Sequence, residues 1–188
     1  MKTFVLLIAL ALLAVPAHAD DADRANLPQI GAVAPAFGLY PFTTKAQGED
    51  ATGEKIELDD HCGMRPGDTK LVLLVFSNAV SLSSDLELAD GWRRKHARDG
   101  FVPIIVSTDS DAQAVRETVA RTRYSFPILN DSFRIVTARY GISSPPFSLL
   151  LDHGCRVMGL SDKSLSVDAE RLSKTIDTVL SGKLGEIE

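Results

Sequence analysis

Thiols are scarce in this chain of 188 residues. It carries two cysteines, Cys62 and Cys155, and none between them. A thiolate is the nucleophile of disulfide exchange and a soft metal ligand, so the long middle of the chain can supply neither. Charge of one sign is also lacking: 20 Lys and Arg against 25 Asp and Glu leave a net charge of −5. The one tight basic group, Arg93-Arg94-Lys95, falls on a predicted helix and reads as a solvated face, so nucleic acid is not an expected partner. Internal repeats and low-complexity tracts are absent. No apolar run approaches the ~20 residues of a membrane-spanning helix.

The longest such run, Phe4 to Val15, follows the positive start Met1-Lys2 and precedes the small-x-small triplet Ala17-His18-Ala19. That is the pattern of a secretory leader. No cysteine stands near the cut, which argues against a lipid anchor there. The reading is a leader over residues 1–19, a flexible lead-in over 20–29, one domain over 30–183 and a tail over 184–188. Cleavage leaves no membrane span and implies a periplasmic or secreted protein. An even number of cysteines in an oxidising compartment suggests one disulfide.

Along the domain, short apolar pieces at Ala36–Leu39 and Lys55–Leu58 flank a polar, glycine-bearing stretch, Thr43 to Gly53, and predict a hairpin. Leu71–Phe76 is an apolar strand. Ser84-x-x-Glu87 matches a capping box and predicts a helix from about Ser84, with Leu86, Ala89 and Trp92 inward. Strand Phe101–Val106 follows, then a helix over about Asp111–Arg121 capped by Ser110, with Ala114, Val115 and Val119 inward. Phe126–Leu129 is extended; Asp131 caps a helix through Tyr140, which Gly141 stops. Pro145-Pro146 precede strand Phe147–Leu151, Asp152-His153-Gly154 turn the chain, and Cys155–Leu160 returns. A last helix runs from about Val167 to Leu180, capped by Ser166. Strands alternating with helices give an α/β fold, closed by an antiparallel hairpin.

Five stretches in order carry a family likeness. They are Ile30-Gly31-Ala32-Val33-Ala34-Pro35-Ala36-Phe37, Leu71–Phe76, Phe126-Pro127-Ile128-Leu129-Asn130-Asp131, Tyr140–Phe147 and Leu150-Leu151-Asp152-His153-Gly154. Together they resemble the redoxins of the thioredoxin-like superfamily, the alkyl hydroperoxide reductase/thiol-specific antioxidant group and the exported TlpA/ResA-type proteins. The resemblance implies a central mixed sheet flanked by helices, with an N-terminal hairpin extension. It puts the family's Cys-x-x-Cys on Ser81 and Ser84, the preceding aromatic on Val80, and the cis-proline on Pro146. A serine hydroxyl stays protonated at a helix start and forms no disulfide.

Hydrolysis through those serines needs a base within hydrogen-bond reach. His96 lies roughly 18 Å down the helix, while His61 and His153 belong to the opposite end of the central strand. In the arrangement the resemblance implies, Cys62 and Cys155 meet at that opposite end, and the leading reading is a structural disulfide. Alternatives are a displaced redox pair and a metal set of His61, Cys62, His153 and Cys155. The functional expectation is a non-catalytic, exported binding or accessory module without a cofactor. Its groove would be Val80, Leu82, Pro145, Pro146 and Phe147, engaging an exported protein or peptide. The alternative is a thiol-disulfide oxidoreductase acting through Cys62 and Cys155, and a weaker one is a metal-binding accessory factor.

Overall fold

The computed structural model describes residues 26–42, 54–62, 68–121 and 124–182. The leader over 1–19, residues 20–25, the predicted hairpin loop and the tail over 184–188 lie outside them. The central sheet has five strands: β3 (Leu71–Ser77), β4 (Phe101–Ser107), β5 (Ile128–Asn130), β6 (Phe147–Asp152) and β7 (Val157–Ser161), in the order β5-β4-β3-β6-β7. β3, β4 and β5 run parallel; β6 and β7 are antiparallel to their neighbours. β1 (Gly38–Leu39) and β2 (Ile56–Glu57) form a separate antiparallel pair, the predicted N-terminal hairpin.

Every residue of β3 is buried, which explains its unbroken apolar run, since a strand covered on both faces does not alternate. Its side chains still divide by period two. Val72, Leu74 and Phe76 join one core with Val136 and Tyr140. Leu71, Leu73 and Val75 join the other, with the helices α1 (Leu82–Lys95), α2 (Ala112–Ala120) and α4 (Leu165–Leu180). The short α3 (Ile135–Arg139) lies on the first face. Tyr140 also donates its hydroxyl to the Pro35 carbonyl at 2.8 Å, holding the incoming chain across that face. This is the α/β architecture expected, with helices on both sides of a mixed sheet.

Helix starts depart from the sequence reading. α1 begins at Leu82, with Ser81 as the flanking residue. Ser84 is inside the helix and its Oγ donates back to the Ser81 carbonyl at 2.8 Å, so the expected box with Glu87 is not the start. The cause is Asn78, whose Oδ1 accepts from the amides of Val80 and Ser81. Its carbonyl accepts from those of Ser81 and Leu82. This side-chain turn opens the helix about two residues early. Asp111, not Ser110, caps α2, accepting from Gln113 and Ala114, and Ala114 faces solvent. α4 starts after Ser164, not Ser166. Asp131 does close the start of α3, accepting from the amides of Val136 and Thr137. Gly141, at φ +66°, ends the following turn.

Candidate functional site

The turn between β3 and α1 lies where the parallel strands end, beside the start of β6, because Phe76 pairs with Phe147. Its floor is a chain of hydroxyls. Ser77, the last residue of β3, donates to Asp85 Oδ2 at 2.7 Å and shares a 2.9 Å hydrogen bond with Ser81. The Leu165 amide, at the start of α4, donates to Asp85 Oδ1 at 3.1 Å. All three side chains are buried. Burial pushes the Asp85 carboxyl above its ordinary range, and the bonds from Ser77, Ser81 and Leu165 only partly offset it. Ser81 is thus a structural joint between strand, helix and the α4 start, and among the described residues no imidazole hydrogen-bonds to it.

Above the floor, Asn78 Nδ2 donates to the Pro145 carbonyl at 2.9 Å, tying the turn to the loop before β6. The Pro145–Pro146 bond is cis, as the resemblance implied. Val80 is 93% exposed. Pro145 and Pro146 are half-buried. Leu82 and Phe147 correct the expected groove: both are buried. Leu82 belongs to the inward stripe of α1 once that helix starts early, and Phe147 faces the core as the first residue of β6. At this corner Val80 is therefore the exposed side chain, with Pro145, Pro146 and Ser84 partly accessible.

The opposite pole holds the sulfurs. Leu71 pairs with Asp152, so the start of β3 sits by the end of β6. There Cys62 and Cys155 form a disulfide with Cα atoms 5.1 Å apart. Both are buried. β3 alone separates them from Ser77 by about 20 Å. His153 is exposed and His61 half-buried, and burial lowers the His61 pKa against the opposing pull of Asp60. With both sulfurs bonded to one another, the four-ligand set of His61, Cys62, His153 and Cys155 offers no thiolates. The third histidine, His96, is held against Asp99 and Asp177 at the end of α1.

Sequence reasoning missed Ser77, Asn78 and Asp85. The available signal was Ser77-x-x-x-Ser81-x-x-x-Asp85, a four-residue polar spacing from the end of the apolar strand into the first turn of the helix.

No family profile matches this chain, and no curated protein matches it. Solved structures do. A Chlorobium tepidum protein provisionally named as the thiol:disulfide interchange protein DsbE superimposes with a TM-score of 0.67 at 21% identity, over 81% of this chain and 99% of that one. The thioredoxin domain of a Bacteroides vulgatus thiol-disulfide oxidoreductase gives 0.62 at 17% identity, over 81% and 98%. Mycobacterium tuberculosis AhpC gives 0.63 at 18% identity, over 84% and 96%. The architecture is the thioredoxin-like fold, and fold at such identity does not carry activity with it.

Proposed function

We propose that this thioredoxin-like chain is an extracytoplasmic binding or accessory module in which Ser81 and Ser84 stand where relatives of the fold use a cysteine pair. The observation that carries this reading is the buried Ser77–Ser81–Asp85 chain beneath the cis-Pro146 loop. It occupies the position of thiol chemistry with groups that cannot exchange disulfides, and it fastens the turn to α4. What remains exposed, Val80 with the prolines, suits apolar contact with an extended segment of an exported protein or peptide. Such main-chain contact needs no thiol. The leader pattern of residues 1–19 and the fold shared with a DsbE-named protein support the location.

Two observations favour a second reading, thiol–disulfide chemistry through Cys62 and Cys155. The chain does hold one disulfide, and the similar structures are named as thiol-disulfide proteins and AhpC. In that reading a partner dithiol would be oxidised to its disulfide while the Cys62–Cys155 bond takes up two electrons and two protons. Attack requires a thiolate to reach a sulfur in line, and here both sulfurs are buried.

Insulin reduction in the presence of dithiothreitol separates the readings. The first expects no rate above the uncatalysed one, in the native protein or in Cys62→Ser. Turnover that Cys62→Ser abolishes would overturn it and establish the second. The double substitution Ser81→Cys with Ser84→Cys places two cysteines three residues apart on a helix start, within the span a disulfide bridges. It should gain oxidisable thiols, and a folded double variant that stays dithiol under mild oxidant would refute the assignment of the two serines.

A further inference from the structure

Beside the proposed groove the sheet has an open edge. β7 is the outermost strand on its side, and the segment Gly31–Ala34, just after the lead-in, pairs antiparallel with Cys155–Val157, reaching only the first residue of that strand. The amides of Gly31 and Ala34 donate to the carbonyls of Val157 and Cys155, and the Val157 amide donates to Ala32. The lead-in then turns away, closed by a bond from the Ala32 amide to the Gln29 carbonyl at 3.0 Å. Asn26 ends up against Gly141. From Gly159 to Ser161 no second strand covers β7 among the described residues. The space left by the departing lead-in is a cavity of about 560 Å³. Leu27, Ile30, Phe147 and Leu160 line it, and Lys163 and Arg171 are matched in number by Asp162 and Asp168.

We propose that this cavity and the free half of the β7 edge bind an extended peptide segment that adds as an antiparallel strand and seats one uncharged apolar side chain in the cavity. This rests on the binding-module reading and names its partner's chemistry. Three observations favour a strand over other occupants. The Gly31–Ala34 segment shows that this edge takes an antiparallel partner just before the free stretch. An exposed edge presents main-chain donors and acceptors that an extended chain satisfies. The balanced charges favour a neutral side chain over an acid or a base. Arg171 already donates to the Leu160 carbonyl, at a long 3.4 Å, so a strand at this edge would displace a weak bond. Phe147, in the cavity wall, follows cis-Pro146 directly, so the cavity lies one residue along the chain from the proline loop. Ile30, 62% exposed, is the wall residue most free to change.

The test uses the full chain and short synthetic peptides of alternating threonine and valine with a central leucine. Controls carry a central lysine, or N-methylated amides that cannot pair as a strand. Backbone NMR shifts and fluorescence titration report the binding. The leucine peptide should shift the amides of Gly159–Lys163 and Ile30, and the lysine and N-methyl peptides should not. Ile30→Asp should weaken binding by about tenfold or more. Shifts confined to the amides of Val80, Ser143 and Ser144, with Ile30→Asp binding unchanged, would overturn this proposal and leave the groove reading intact. Binding by none of the peptides at either place would overturn both.

Discussion

Breaking the Cys62–Cys155 bond should cost the fold much of its stability. The two cysteines are 93 residues apart in sequence. The chain-entropy treatment of a loop that long gives about 4–5 kcal/mol at room temperature. Set against the roughly 5–15 kcal/mol by which domains are stable, the bond accounts for a third of the total or more. The residues it joins, one on the segment after β2 and one at the hairpin before β7, share only the main core, so no other covalent tie replaces it. Urea unfolding of the native protein, the reduced protein and Cys62→Ala/Cys155→Ala measures the cost. With an m-value of about 2 kcal/mol/M, the midpoint should fall by about 2 M in the reduced protein, and by at least as much in the double variant. Burial adds a kinetic signature: dilute thiol should cleave the bond only as fast as the protein opens. A midpoint shift below about 0.5 M, or cleavage much faster than unfolding, would refute the structural role and strengthen the redox reading.

Two further outcomes follow from the buried polar groups. Asp85, with its pKa raised by burial, favours the protonated form on folding. Its contribution is complete below the unfolded carboxyl value and is lost as pH rises through the folded one. The stability of Asp85→Asn relative to the native chain should therefore improve from about pH 4 to pH 7, and a gap that moves the other way in urea titrations would contradict the assignment. Tyr140→Phe removes the bond to the Pro35 carbonyl while keeping the ring contacts with Phe37 and Phe76. It should cost about 0.5–1.5 kcal/mol by thermal or urea unfolding, and a larger loss would mean that the ring packing itself has changed.

The layer architecture was legible because its signals are local and repeated. The unbroken apolar run Leu71–Phe76 announces a strand buried on both faces, and Gly141 and Pro145-Pro146 punctuate their segments where the structure needs them. Helix starts were read less well because several polar residues compete at each. Ser84 and Asn78 both offer helix-opening chemistry, and only the fold decides that Asn78 wins, since its amide nitrogen also reaches the Pro145 carbonyl 67 positions away. Exposure at that corner was half legible. Val80 is exposed and the prolines partly so, but starting α1 early rotates Leu82 inward. Asp85 was invisible as a site residue because a carboxylate in the first turn of a helix is usually there for the helix dipole. Nothing short of the fold brings the Leu165 amide, 80 positions on, to its second oxygen.

That convergence bears on why the turn holds its shape with hydroxyls in it. A cysteine pair at this corner needs one sulfur accessible and poised for attack. Ser81 is instead buried and bonded to Ser77, and Ser77 is bonded to a carboxylate that also receives the α4 start. Removing Ser77 or Ser81 would leave Asp85 short of a donor in a site where an unsatisfied buried group costs about 1–3 kcal/mol. The corner is therefore held by a closed polar network in which each member satisfies the next, while Val80, the one large apolar side chain of the turn, is left outside it.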